Sequence, residues 1–525
     1  MKYKKHQFYA NTKDHPLTTR REFLSRWAKG VVGSSLAFPA MAVGSDYSAD
    51  FPNVNCDSTP NENLASALII DLNGGGHLAG SNFIVSDGQD GNQLSEIGYN
   101  PTGLGINGSA ISDSEIDDSL GIAMHSSSGI LQGIKAVIDE ATDPNSYYNC
   151  VEGGIFCSVT SDDTHRNILN PMYWICNTGC VGKFGSSVGS KSTRSGAFSV
   201  VPDFNVESKH LPTPIQNESE LVNLLQISRL ANKETKENQK KLLKLIEDMN
   251  INSLIQRKNK FSESLLNRLY CEYQIPRRVL TDESLSLDKL IVPSGGDIEN
   301  TFNHISSLMD STIVDTFKVY SHLLNNKFFG VGSISYGGFD YHDGSRETGD
   351  SSDRELGYNI GGMIKSAVDQ GKNLFIVLIT DGGVGVDLYN GGNLDNGKIP
   401  WVTDRGTASA AVMFAINGKG KTRPVMRKNN TSPSSSGRDY TSIRQIGQMN
   451  VGGISGNLAR SYASTNTSFR SLTSNGGVGL VSGIFANYLA LHGLEGRLAE
   501  FAGIDVFNTN SGSVLDDYLC FDKTF

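Results

Sequence analysis

The side chains best suited to chemistry stand where short apolar runs end. Val331-Gly-Ser-Ile-Ser-Tyr336-Gly-Gly338-Phe-Asp340-Tyr-His342-Asp343 sets a carboxylate, an imidazole and a second carboxylate just after a β-prone segment and two glycines. Asp340 and His342 alternate, so an extended backbone points both the same way. Carboxylate oxygen with neutral imidazole nitrogen is the donor set of a hard or borderline divalent cation such as zinc, calcium or magnesium. The same residues also suit a glycine turn whose Asp and His bond neighbouring backbone. Asp343 would then either orient His342 or close the turn.

Two further acids share this placement. Ala65-Ser-Ala-Leu-Ile-Ile-Asp71 is a short buried-strand pattern closed by a carboxylate and followed by Asn73-Gly-Gly-Gly-His77. Asn373-Leu-Phe-Ile-Val-Leu-Ile-Thr380-Asp381-Gly-Gly383 repeats the pattern more strongly. Asp71 and Asp381 are therefore metal-ligand candidates or strand-ending turn acids. His77 reads as an exposed loop residue and His125 as structural. The glycine turn after Asp71 lacks the Lys-Ser/Thr pair of a P-loop. Ser126 to Ser128 stand at the cap of a helix running to Ile138, where a serine is a cap or, for Ser126, a nucleophile favoured by the helix dipole.

The elements that must position these groups alternate along the chain. Strands are expected at 65–71, 153–159, 328–336, 373–380 and 408–416, and helices at 126–138, 299–324, 357–370 and 479–501. Trp174 to Gly185 reads as a compact turn-rich stretch. Leu221, Leu224, Leu225, Ile227 and Leu230, then Leu242, Leu243, Leu245 and Ile246, recur at helical spacing among charges. They mark a helical insertion, about 218–325. Strand and helix in alternation predict an α/β fold, a doubly wound, mostly parallel sheet with one crevice at its carboxyl edge.

The chain has 525 residues, 38% of them apolar and 19% charged, with 57 glycines and a net charge of -9. That length holds two or three domains, or one large α/β domain with insertions. Acidity without a basic stripe argues against nucleic acid as the main partner. Thr18-Thr-Arg20-Arg21-Glu-Phe-Leu24, a mildly apolar stretch and Ala40-Met-Ala42 predict a twin-arginine signal over 1–42, read by the twin-arginine export machinery. Lys29, Gly30, Gly33 and Pro39 interrupt the stretch, so no firm membrane span is expected. Residues 43–63 are a polar linker, 64–504 the α/β domain and 505–525 a tail. A periplasmic or secreted protein is expected. Seven cysteines in an oxidising compartment allow local pairs Cys150/Cys157 and Cys176/Cys180, and the odd count leaves at least one over.

The signal, the first strand with its glycine turn, Leu120 to His125, Ser161-Asp-Asp-Thr-His165-Arg166, Gly182-Lys-Phe and Tyr336-Gly-Gly-Phe-Asp340-Tyr-His342 occur in one order. Together they resemble exported bacterial proteins of domain of unknown function 1501, over about Leu64 to Ile504. That family is similar to the alkaline phosphatase and sulfatase superfamily, which implies cations at the strand ends polarising a phosphate or sulfate ester. On this resemblance Asp71, Asp340, His342 and Asp381 hold one divalent metal. His165, Arg166 and Arg405 lie near the anion of a small anionic ester, and Ser126 stands in for the nucleophile. Tyr341 replaces the family's small hydroxyl residue. Thr380-Asp381-Gly-Gly stands for its Ser-Glu-Phe-Gly-Arg-like motif. Arg405 in Thr403-Asp-Arg405-Gly occupies a ligand histidine's place, and arginine repels cations but grips anions. The alternative implied by that exchange is a degenerate, non-catalytic protein that binds an envelope component or serves secretion or envelope assembly.

Overall fold

The computed structural model describes residues 50–51, 61–78, 81–84, 113–158, 170–189, 212–225, 236–260, 287–339, 346–380, 409–427, 478–503 and 515–525, with short pieces near 266–274 and at 385–386, 401–403 and 444–446. The chain divides into two units, 1–49 and 50–525, and every described residue belongs to the second.

The strands are β1 (Ser66–Leu72), β2 (Ile116–Asp117), β3 (Met124–His125), β4 (Val151–Ser158), β5 (Gly185–Gly189), β6 (Thr213–Pro214), β7 (Phe329–Tyr336), β8 (Asn373–Thr380), β9 (Gly385–Val386), β10 (Trp401–Thr403), β11 (Ser409–Asn417) and β12 (Arg444–Ile446). Eight form one sheet in the order β12-β4-β11-β8-β1-β7-β5-β6. β1 is central and parallel to both neighbours, β7 and β8. β11 runs antiparallel to β8 and β4, so the sheet is mixed but mostly parallel.

The longer helices are α1 (Gly129–Ile138), α2 (Met172–Asn177), α3 (Glu218–Leu225), α4 (Lys236–Gln256), α5 (Asp297–Leu308), α6 (Ile313–Asn325), α7 (Arg346–Asp369) and α8 (Val478–Leu491). Both sheet faces are covered, which is why the central strands read as unbroken apolar runs. Leu68, Ile70 and Leu72 of β1 pack with Ile134 of α1, Phe302 of α5, Phe317 of α6 and Ile360 of α7. Ala67 and Ile69 point the other way, onto Trp174 of α2 and Phe485 and Tyr488 of α8. The result is a three-layer α/β architecture.

The structure departs from the sequence reading at several places. The expected helix 299–324 is two, α5 and α6, broken at Met309, whose backbone is extended. Both lie in the layer against the sheet through Phe302 and Phe317. The stretch 174–185 is not only turns: α2 opens it and β5 begins at its last residue. Neither local cysteine pair forms, because Cys150, Cys176 and Cys180 are buried thiols outside any disulfide, as is Cys520. Cys150 donates to the Ser146 carbonyl at 3.1 Å, and Cys180 to the Ala65 carbonyl at 3.2 Å. Nearness in sequence does not aim two Cβ vectors at each other. Cys271 is disulfide-bonded.

Candidate functional site

The carboxyl ends of β1, β7 and β8 lie side by side, with Asp71 opposite Ser335 on one side and Ile379 on the other. Strand alternation puts Asp71 on the face of Ala67 and Ile69, toward α2 and α8, and its side chain is fully buried. Ser333 and Ser335 flank Ile334, whose side chain faces α6 and α7, so both serines share Asp71's face. The Asn73 amide donates to the Ser335 hydroxyl, and Asn170 donates to Ser333 at 3.0 Å while accepting from the Met172 amide at 3.0 Å at the start of α2. The floor beside Asp71 is thus small and polar within an otherwise apolar sheet. Such a floor carries hydrogen-bonding groups where the backbone is held rigid.

The glycine turn is tied down from both neighbours. Asn73 N–H donates to the Tyr336 carbonyl at 2.9 Å. Thr380 hydroxyl donates to the Leu72 carbonyl at 3.1 Å and accepts from Gly76 N–H at 2.9 Å. His77 is buried in this turn, not exposed as its setting implied. Burial pushes the Tyr336 phenol well up, and the Glu355 charge adds to this, so it is a neutral donor at any ordinary pH.

On the opposite face of the sheet, the same edge carries a buried hub. Asn82 donates to Asp353 at 2.7 Å and to the His77 carbonyl at 2.8 Å. Its carbonyl oxygen accepts from Ser128 hydroxyl at 2.7 Å and from Ile130 N–H at 3.2 Å. Arg346, itself buried, donates to the Ser81 hydroxyl and to Asp350 at 3.2 Å. The hub joins the glycine turn, the N-terminus of α1 and the N-terminus of α7 into one rigid edge. None of Asn82, Asp353 or Arg346 is a candidate from sequence, since their association spans as many as 271 residues along the chain.

Of the expected metal donors, Asp71 is placed as described; Asp340, His342 and Asp381 lie outside the described residues, as do His165, Arg166 and Arg405. Tyr336 and Thr380, the last residues of β7 and β8, are described, and both border β1. Ser126 is exposed and its N–H donates to the Glu115 carbonyl at 2.8 Å. It does not cap α1; Ser128 does, accepting from Leu131 N–H at 3.1 Å. Among the described residues no group of three or more His, Cys, Asp and Glu side chains is gathered for a metal, and no helix is long and apolar enough to cross a membrane.

Fold and site together define an α/β protein with a mostly parallel sheet and buried polar side chains at its carboxyl edge. No family model matches the chain, and neither does any curated protein or solved structure.

Proposed function

We propose that the chain is an exported hydrolase of small phosphate or sulfate esters, built on an alkaline phosphatase/sulfatase-like sheet and acting in the periplasm or outside the cell. The observation that carries this reading is the buried Asp71 carboxylate at the carboxyl edge, between the ends of the two strands whose sequences run on into Asp340, His342 and Asp381. Three carboxylates and one imidazole suit a zinc, calcium or magnesium ion, and these four residues would hold it. When bound, the ion polarises the ester oxygen and offsets developing negative charge. His165, Arg166 and Arg405 would bind and orient the anionic group, guanidinium forks matching its oxygens. Ser126, exposed beside α1, serves as the nucleophile of this reading.

The test is elemental analysis of chain purified without chelator, as wild type, Asp71→Asn and Asp340→Ala, together with hydrolysis of aryl phosphate and aryl sulfate. We expect about one divalent ion per chain in the wild type, lost in both variants, and ester hydrolysis reduced about 100-fold or more with it. A metal-free, inert wild type would overturn the hydrolase reading. It would leave the degenerate alternative that Arg405 favours, binding of an envelope component without turnover.

A further inference from the structure

Ser127, His125 and Glu115 stand in a line that the ester-hydrolase reading above does not use. The Ser127 hydroxyl lies 2.7 Å from His125 Nδ1, and the Ser127 backbone N–H donates to the same nitrogen at 3.1 Å. A backbone amide can only donate, so Nδ1 must be the unprotonated nitrogen and the ring carries its hydrogen on Nε2. The hydroxyl at 2.7 Å therefore donates too. Nε2 faces Glu115, with Oε1 at 3.9 Å. The order is nucleophile, base, carboxylate.

The scaffold that holds the three is stiff. β2 and β3 pair antiparallel with Ile116 opposite His125, which sets Glu115 beside the imidazole. His125 N–H donates to the Asn82 carbonyl at 3.2 Å, and Ser128 N–H to the His125 carbonyl at 2.8 Å. His125 is 7% exposed, whereas Ser127 is half-buried, so the base is the more sheltered of the two. Ser127 directly precedes Ser128, the N-cap of α1.

We propose that Ser127, His125 and Glu115 form a second, metal-independent site that hydrolyses carboxylic esters. Ser127 Oγ attacks the ester carbonyl carbon and its proton passes to His125 Nδ1, giving an imidazolium opposite the Glu115 carboxylate. The tetrahedral adduct collapses by breaking the carbonyl carbon–alkoxy bond, and the alcohol leaves with the proton from Nδ1. Water, giving its proton to Nδ1, then attacks the acyl-Ser127 ester. Collapse releases the carboxylic acid and returns the proton to Ser127 Oγ. Esters rather than amides fit, because an alkoxide leaves with less acid assistance than an amine. Ser127 and His125 are the catalytic residues; Glu115 is a positioning residue that stabilises the imidazolium.

A purely local turn ahead of α1 would need only the amide contact to Nδ1. The experiment therefore uses the full chain, p-nitrophenyl acetate and a fluorophosphonate probe, with and without EDTA. In the wild type we expect hydrolysis indifferent to EDTA and covalent labelling that peptide mass mapping assigns to Ser127. Ser127→Ala should lose both, about 1,000-fold in kcat. Glu115→Gln should lower kcat about tenfold and move the acid limb of the pH profile to lower pH, since the imidazolium loses its partner. Metal content and aryl phosphate hydrolysis should be the same in Ser127→Ala as in wild type, which separates this site from the metal reading. Folded wild type that neither labels nor turns over the acetate overturns the proposal. So does a Ser127→Ala variant that matches wild type.

Discussion

Asn82 shows how much one buried side chain can hold. Its amide and carbonyl meet Asp353, the His77 carbonyl, Ser128 and the Ile130 amide, using both ends of the group. Removing it leaves those partners buried without their bonds, which costs more than the bonds themselves return. Asn82→Ala should lower stability by about 2–4 kcal/mol. Asn82→Asp is the more telling change. It keeps the shape but sets a carboxylate where the amide sits 2.7 Å from Asp353. Like charges raise the pair's folded pKa, so its stability is present at low pH and lost as pH rises. Thermal melts of Asn82→Asp should approach wild type near pH 4 and fall away by pH 8, whereas Asn82→Ala should show a deficit that does not depend on pH.

Between elements, α1 and α7 meet closely, and the contact is made by glycine. A Cβ at Gly133 would lie 2.2 Å from the Arg354 carbonyl oxygen, and one at Gly357 would lie 2.2 Å from the Ile130 carbonyl oxygen. Backbone meets backbone there, and neither helix has a side chain to move aside. Alanine favours a helix by about 1 kcal/mol over glycine, but here it must push the helices apart, at about 1–3 kcal/mol or more. Gly357→Ala should therefore lower the denaturation midpoint despite its better propensity. Gly496→Ala, with open space around its Cβ, should change it little. The same pair of helices explains what sequence could and could not reveal. β8 was legible because Leu374 to Ile379 are apolar without a break and buried on both faces. Only the second half of α7 was legible. Its first turns bury Arg346 and Asp353, which periodicity counts as surface because it cannot see the partners that satisfy them. β5, Gly-Ser-Ser-Val-Gly, carries almost no apolar signal and is a strand because β7 pairs with it. At the site, Asp71 could be read from the strand it closes. The Asn82 hub could not, because only the fold brings its members together.

Across the whole molecule, two buried titratable groups at separate places set opposing pH dependences. His492 Nε2 accepts from Ala65 N–H at 2.8 Å and its Nδ1–H donates to the Tyr488 carbonyl at 2.8 Å, anchoring the entry to β1. Burial, helped by the Lys327 charge and opposed by the bond to Tyr488, pushes His492 down to about 4. A depressed histidine contributes stability present above its unfolded value of 6.5 and lost as pH falls toward 4, about 3 kcal/mol in all. Glu152 on β4 is the reverse case. Gly121, with φ of 73°, is packed so tightly that a Cβ would sit 2.0 Å from Glu152 Oε1, and Oε1 is buried without a hydrogen-bond partner. Burial pushes Glu152 up to about 9, with Arg423, at 3.9 Å, pulling the other way and Asp118 adding slightly to the rise. Arg423 also donates to the Ser119 carbonyl at 2.9 Å, so its charge is shared. A raised carboxyl contributes stability present below its unfolded value of 4.5 and lost as pH climbs to about 9. Between 4.5 and 6.5 the two slopes oppose each other, so these groups give a plateau there and a decline on the alkaline side. Glu152→Gln should remove the decline above pH 6.5, leaving stability that rises to that pH and then levels. His492→Gln keeps an acceptor for Ala65 N–H and should remove the plateau, leaving a steady fall from pH 4.5 upward. Melting temperatures of the three proteins from pH 4 to pH 9 decide the matter, and parallel curves for wild type and both variants would refute it.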